Sequence, residues 1–150
     1  MRARLLWAIL SLLFAGCSIE SKITPLTISS RSGDAFEKTV EIFSQMGYPV
    51  EYKEKEEGII KTGWHNFTVT RERTHKAWPI RIKVEASLLD DNKLSLQPFC
   101  EVMQGAIGGS YYIYLKTDDK AGNKAFETEF NKLATALSEE FTVQKQISSQ

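Results

Sequence analysis

Four side chains are the first candidates for chemistry: Cys17, Cys100, His65 and His75. A thiolate beside an imidazole makes a nucleophile with its base, and thiols with imidazoles can hold a metal. The spacing supports neither arrangement. His65 and His75 are too far apart to share a helix face and match no metal-ligand pattern. Cys100 falls inside LSLQPFCEVM (94–103), which reads as a strand, where a free cysteine usually serves as a small buried hydrophobe. A nucleophile more often stands on a sharp turn or a helix start. The acidic run Glu54, Lys55, Glu56, Glu57 is interrupted by its lysine and has no calcium-loop geometry, so it reads as a solvated turn. The expectation is therefore no catalytic residue, no metal site and no cofactor. Cys17 differs, because it closes a greasy run, LLFAGCS, where a thiol can serve as a covalent handle.

The segment before Cys17 has three parts. Arg2 and Arg4 are positive, Leu5 to Ala15 is apolar apart from Ser11, and Ala15 and Gly16 are small. That is the build of a secretory signal peptide, residues 1–16. The run is well short of the roughly 20 apolar residues that a membrane-spanning helix needs. The stretch FAGC, Phe14 to Cys17, resembles the lipobox of bacterial lipoproteins. The resemblance implies cleavage before Cys17, a thioether-linked diacylglycerol on its sulfur, and a further acyl chain on the new amino terminus. Phe14 stands where the family usually has Leu, with Leu13 one step earlier. Ser18 follows the cysteine, which in Gram-negative lipoproteins implies sorting to the outer membrane, on its periplasmic face. Each buried lipid methylene contributes about 0.8 kcal/mol, so two or three chains hold a protein to a bilayer firmly. The alternative is ordinary secretion, with cleavage leaving a soluble protein.

The charge balance excludes one class of partner. The chain has 19 Lys+Arg against 19 Asp+Glu, and removing residues 1–16 takes away only Arg2 and Arg4. A near-neutral chain without long basic blocks offers no general field for nucleic acid. With Cys17 lipidated, Cys100 has no cysteine left to pair with, although the compartment favours disulfides.

The elements that must position any site follow from periodicity. Residues 17–33 read as the lipidated cysteine and a serine-rich tether containing Pro25. In DAFEKTVEIFSQMG (34–47), Phe36, Val40 and Phe43 fall on one helical face, with Ser32 or Asp34 as cap and Gly47 closing the end. YPVEYKEKEEGIIKTGWHN reads as a hairpin whose turn uses Gly58 at positive φ. FTVTR (67–71) continues with period two, and 71–79 is polar and loop-like. IRIKVEASL (80–88) is the clearest strand, pairing across LDDNK with 94–103, and Pro98 is expected at an edge or bulge. QGAIGGS (104–110) reads as a loop and YYIYLK (111–116) as a short strand. A second amphipathic helix carries Phe126, Phe130, Leu133, Leu137 and Phe141, and residues 142–150 form a polar tail. The expected fold is α+β in two layers. A mostly antiparallel sheet of four to five strands carries an N-terminal and a C-terminal helix on one face, within a domain spanning 34–141.

Surface chemistry comes from aromatics and arginines. Trp64, Trp78, Tyr112 and Tyr114, with Arg71, Arg73 and Arg81, are the residue types enriched at contact surfaces. For each tryptophan, simple core packing is the competing reading. The contact surface would be the polar sheet face or the groove between sheet and helices.

AFEKTVEIFSQMGYPVEYKEKEEGIIKTGW (35–64), followed by IRIKV and a terminal helix, resembles the small periplasmic BamC-like, helix-grip lipoprotein domains of the outer-membrane β-barrel assembly machinery and its relatives. That resemblance implies a non-enzymatic lipoprotein acting through protein–protein contacts near the outer membrane, and it brings no catalytic residues. The expected function is a lipid-anchored periplasmic binding or scaffold protein, with the membrane and envelope proteins as partners. The alternative is a binder of a small apolar or glycan ligand in a helix–sheet groove.

Overall fold

Strict alternation builds the centre of the fold. Ile80, Ile82, Val84 and Ala86 are fully buried, while Arg81, Lys83 and Glu85 between them are only half-buried, so one face of this strand meets a core and the other faces out. The partner run repeats the pattern with Leu94, Leu96, Cys100 and Val102 inward. In the computed structural model, residues 23, 25–30 and 34–145 are described. Among them the order is β1 (Leu26–Ser30), α1 (Ala35–Gln45), β2 (Val50–Glu54), β3 (Ile59–Thr62), β4 (His65–Thr70), β5 (Ala77–Asp90), β6 (Lys93–Ala106), β7 (Gly109–Tyr114), α2 (Lys120–Glu140) and β8 (Phe141–Lys145). The architecture is α+β with an antiparallel sheet. Its order is β2-β3-β5-β6-β1-β8, with β4 on β5 and β7 on β6.

The long strands β5 and β6 each serve two neighbours along one edge. On β5, β4 pairs with Ala77 to Ile82 and β3 with Glu85 to Ser87. In the gap between them the Val84 N–H donates to Thr62 Oγ1 at 2.8 Å, so no buried donor is left open. On β6, β1 pairs with Lys93 to Leu96 and β7 with Glu101 to Ala106. Pro98 therefore stands inside a long interior strand, paired with Val84 and at no bulge, with its other flank locally open. The Cys100 carbonyl accepts from Leu115 N–H at 2.9 Å, so the alternating backbone directs residue 98 to the same side as residue 100. That side lies between β1 and β7, where a missing N–H disrupts no ladder.

Both helices bury their apolar stripes in one cluster with the inward sheet residues: Phe36, Ile42 and Phe43 from α1, Phe126, Phe130, Leu133 and Leu137 from α2. Helix α1 ends in a Schellman motif. Gly47 at φ 78 donates to the Ser44 carbonyl, Tyr48 donates to Phe43, and the Phe43 and Tyr48 rings lie 6.2 Å apart. Asp34 occupies the N-cap position without a side-chain cap bond. Gly58, at φ 67, closes the β2–β3 turn as expected, and a Cβ there would meet Leu88 Cβ at 2.5 Å.

Eight strands replace the four or five expected: two lie in segments not read as strand, and a third segment, read as a loop, is strand and turn. Within the stretch read as tether, Leu26–Ser30 is strand β1, seated between β6 and β8. Leu26 and Ile28 alternate with threonine and serine, and both are buried. Phe141, expected on the second helix, opens β8 (Phe141–Lys145), which continues into the stretch read as tail and is anchored by the buried Phe141 ring. The glycine-rich 104–110 segment is the end of β6, a tight turn at Ile107 and Gly108, and the start of β7, with positive φ at Gly108 and Gly109. The signal segment 1–16, Cys17 and residues 146–150 lie outside the described residues. Among the described residues no helix is long and apolar enough to cross a membrane.

Candidate functional site: an aromatic–cation face and a groove

With both helices on the inner side, the outer side of the sheet has no second layer among the described residues, and it covers itself. Register places Arg81 opposite Glu101 and Glu101 opposite Tyr114. Arg81 Nε donates to Glu101 Oε2 at 2.7 Å, and its guanidinium lies 4.0 Å from the Tyr112 ring centre and 4.5 Å from that of Trp64. One guanidinium thus lies over two aromatic rings and is paired with a carboxylate that is 12% exposed. Beside it, Lys83 Nζ sits 4.9 Å from the Phe99 ring centre and 5.4 Å from Trp64. Flat faces and a delocalised cation suit each other here, since each ring offers its negative π-face. Tyr114 stands exposed at the margin.

Of the residues singled out from the sequence, Trp64, Arg81 and Tyr112 come together on this face, with Tyr114 alongside. Trp78, Arg71 and Arg73 do not. Trp78 is buried on the inner side, with the Arg71 guanidinium 4.0 Å from its ring centre, so core packing describes it. Its indole N–H donates to the Met103 carbonyl at 3.0 Å. The β5–β6 register sets Pro79 opposite Met103, and Pro79 has no N–H to supply. Arg73 is exposed in the turn between β4 and β5, near His75, whose φ is 52. Lys83, which the sequence groups with Arg81 among the basic residues of this strand, joins the cluster, and Phe99 and Glu101 are the members that sequence reasoning misses. A signal existed: Arg81 and Glu101 are equally distant from the turn residue Asp91, so counting outward from LDDNK pairs them.

The thiol and imidazoles stay apart. Cys100 is buried, and desolvation, then the charges of Glu101 and Asp119, push its pKa up to about 12, so the sulfur is a neutral thiol at ordinary pH. His65 lies two strands away by register, stacked 4.6 Å from Tyr48 and hydrogen-bonded to the Gly47 carbonyl and to Glu129. Among the described residues no group of three or more His, Cys, Asp or Glu is placed to hold a metal ion.

A groove of about 1040 Å³ opens on the other side, between β4 and α2. Its floor is the inward half of β4, where Phe67 and Val69 are only half-buried, together with Trp78. Its far wall is the α2 stripe Lys120, Lys124 and Lys132. No model of a known protein family matches the chain, and no curated protein matches it either.

Proposed function

We propose that this chain is a lipid-anchored envelope protein that works by binding, holding partner proteins at the periplasmic face of the outer membrane. The observation that carries the reading is the outer sheet face. Trp64, Arg81 and Tyr112 pack together on a surface with no covering layer among the described residues. Residues of these types, held in place before the partner arrives, give large contact area at little cost in side-chain entropy. The anchor is read from the lipobox resemblance at Cys17, and the neutral Cys100 thiol is in keeping with a role other than thiol catalysis.

Two experiments test it. Cys17→Ser should move the protein from the membrane fraction to the soluble periplasmic fraction, and unchanged sedimentation with membranes removes the anchor. A photo-crosslinking amino acid at Tyr114 should capture the same envelope protein repeatedly in cells, and Trp64→Ala should weaken that adduct. Absence of any reproducible adduct at this face counts against the binding role.

A further inference from the structure

The groove between β4 and α2 runs along an open strand edge. Among the described residues, β4 has one strand neighbour, β5. The Arg71 N–H donates to the Lys76 carbonyl at 3.0 Å, at the point where β4 and β5 part. Counting back by twos, residues 65, 67 and 69 direct their backbone groups toward β5. Asn66, Thr68 and Thr70 therefore direct their N–H and C=O groups outward, and all three are exposed. The groove lining includes Phe67, Thr68, Val69 and Thr70 without a break. A ligand resting on one face of a strand would touch alternate residues. Consecutive residues mean that the groove follows the backbone edge itself.

The rim selects by charge. Arg71, Arg73, Lys120, Lys124 and Lys132 outnumber Glu72, Asp119 and Glu129 around it. The three carboxylates are engaged within the protein: Glu72 with Lys124 at 3.2 Å, Glu129 with Lys132 and His65, and Asp119 as cap of α2. The side chains of Arg73 and Lys120 have no carboxylate partner among the described residues. A second copy of β4 docking here would bring these cations together, so a segment of opposite charge is the better fit.

We infer that an extended acidic segment of a partner protein adds to the open edge of β4 as a further strand, lying between β4 and α2. Main-chain bonds to residues 68 and 70 supply the register, alternate side chains reach the Phe67–Val69 floor, and carboxylates meet the cationic rim, Arg73 and Lys120 first. The inference rests on the binding role proposed above and adds the chemistry of one partner segment.

The test is selection of random short peptides displayed on phage against the full-length protein. Enriched peptides should be acidic with alternating apolar residues, and should bind less tightly as salt rises. Thr68→Pro removes an outward N–H while leaving the β5 ladder intact, and should weaken binding about tenfold, as should Lys124→Glu. Methylating alternate amides of the peptide makes the same test without altering the protein. Peptides that bind Thr68→Pro or their methylated forms as well as the originals overturn the inference, as does enrichment of basic peptides or none. So does native mass spectrometry that finds a small amphiphile filling the groove. If the Tyr114 crosslink survives such a result, the edge inference alone has failed. If both are lost, the binding role has failed.

Discussion

Trp78 supplies from its indole the hydrogen bond that Pro79 cannot supply from its backbone to the Met103 carbonyl. Trp78→Phe keeps most of the packing but leaves that acceptor without a donor, at an expected cost of about 1–2 kcal/mol in urea unfolding. Pro79→Ala restores a backbone N–H at the same place. In that background Trp78→Phe should cost measurably less, and equal costs in both backgrounds would show that the indole and proline are not coupled.

The Arg81 guanidinium does two jobs, pairing with Glu101 and lying over Trp64 and Tyr112. Arg81→Lys keeps the charge and loses the plane, so a loss of about 1 kcal/mol is expected. Arg81→Met leaves the mostly buried Glu101 carboxylate unpaired and should cost more, about 2–3 kcal/mol. Adding Glu101→Gln to Arg81→Met should recover part of that loss. Chemical unfolding followed by tryptophan emission measures all three.

The Tyr48 hydroxyl is buried and has no hydrogen-bond partner among the described residues. Desolvation, and then the charges of Glu129 and Cys100, raise its pKa well above the usual tyrosine range. A raised folded pKa means that stability is intact below the unfolded tyrosine value of about 10 and falls as pH climbs past it. Tyr48→Phe should therefore be as stable as the parent or more so, by up to about 1 kcal/mol, and should blunt the alkaline loss. A clear destabilisation at neutral pH would mean that the hydroxyl has a partner.

Glu129 gives the opposite limb. Burial works to raise its pKa, but hydrogen bonds from Lys132 at 2.6 Å and His65 at 3.2 Å, with their charges, hold it below the ordinary glutamate value. A depressed folded pKa gives stability that is present above the unfolded value and lost as pH falls through the folded one. Glu129→Gln should lower the melting temperature near neutral pH and flatten the acid side of the profile. A profile unchanged by the substitution would separate Glu129 from acid unfolding.

The legible parts of the fold were those set by local period. Phe36, Val40 and Phe43 on α1, the alternation from Ile80 to Leu88, and the positive φ at Gly47 and Gly58 all follow from spacing of a few residues. Strands β1 and β8 were not legible in the same way. Each is short, serine- or threonine-bearing, and gains its place only from partners far along the chain, as Leu26 does from Leu96. Trp78 shows a readable signal left unused: it stands two residues before Ile80 in one alternation, so its inward direction follows once the strand is carried through Pro79. The β4 edge is a different case, because an open side is defined by which strands fail to arrive, and no local pattern encodes that.

Ser30 faces Phe141 across the β1–β8 ladder, so of the described strands the earliest in sequence must wait for one more than a hundred residues later. During synthesis the β5–β6 hairpin can close early, while Leu26 and Ile28 remain without their outer neighbour until residues 141–145 have been made. Stopping the polypeptide after Glu140 would strip β1 of one whole flank, and the shortened product is expected to be a substrate for proteases.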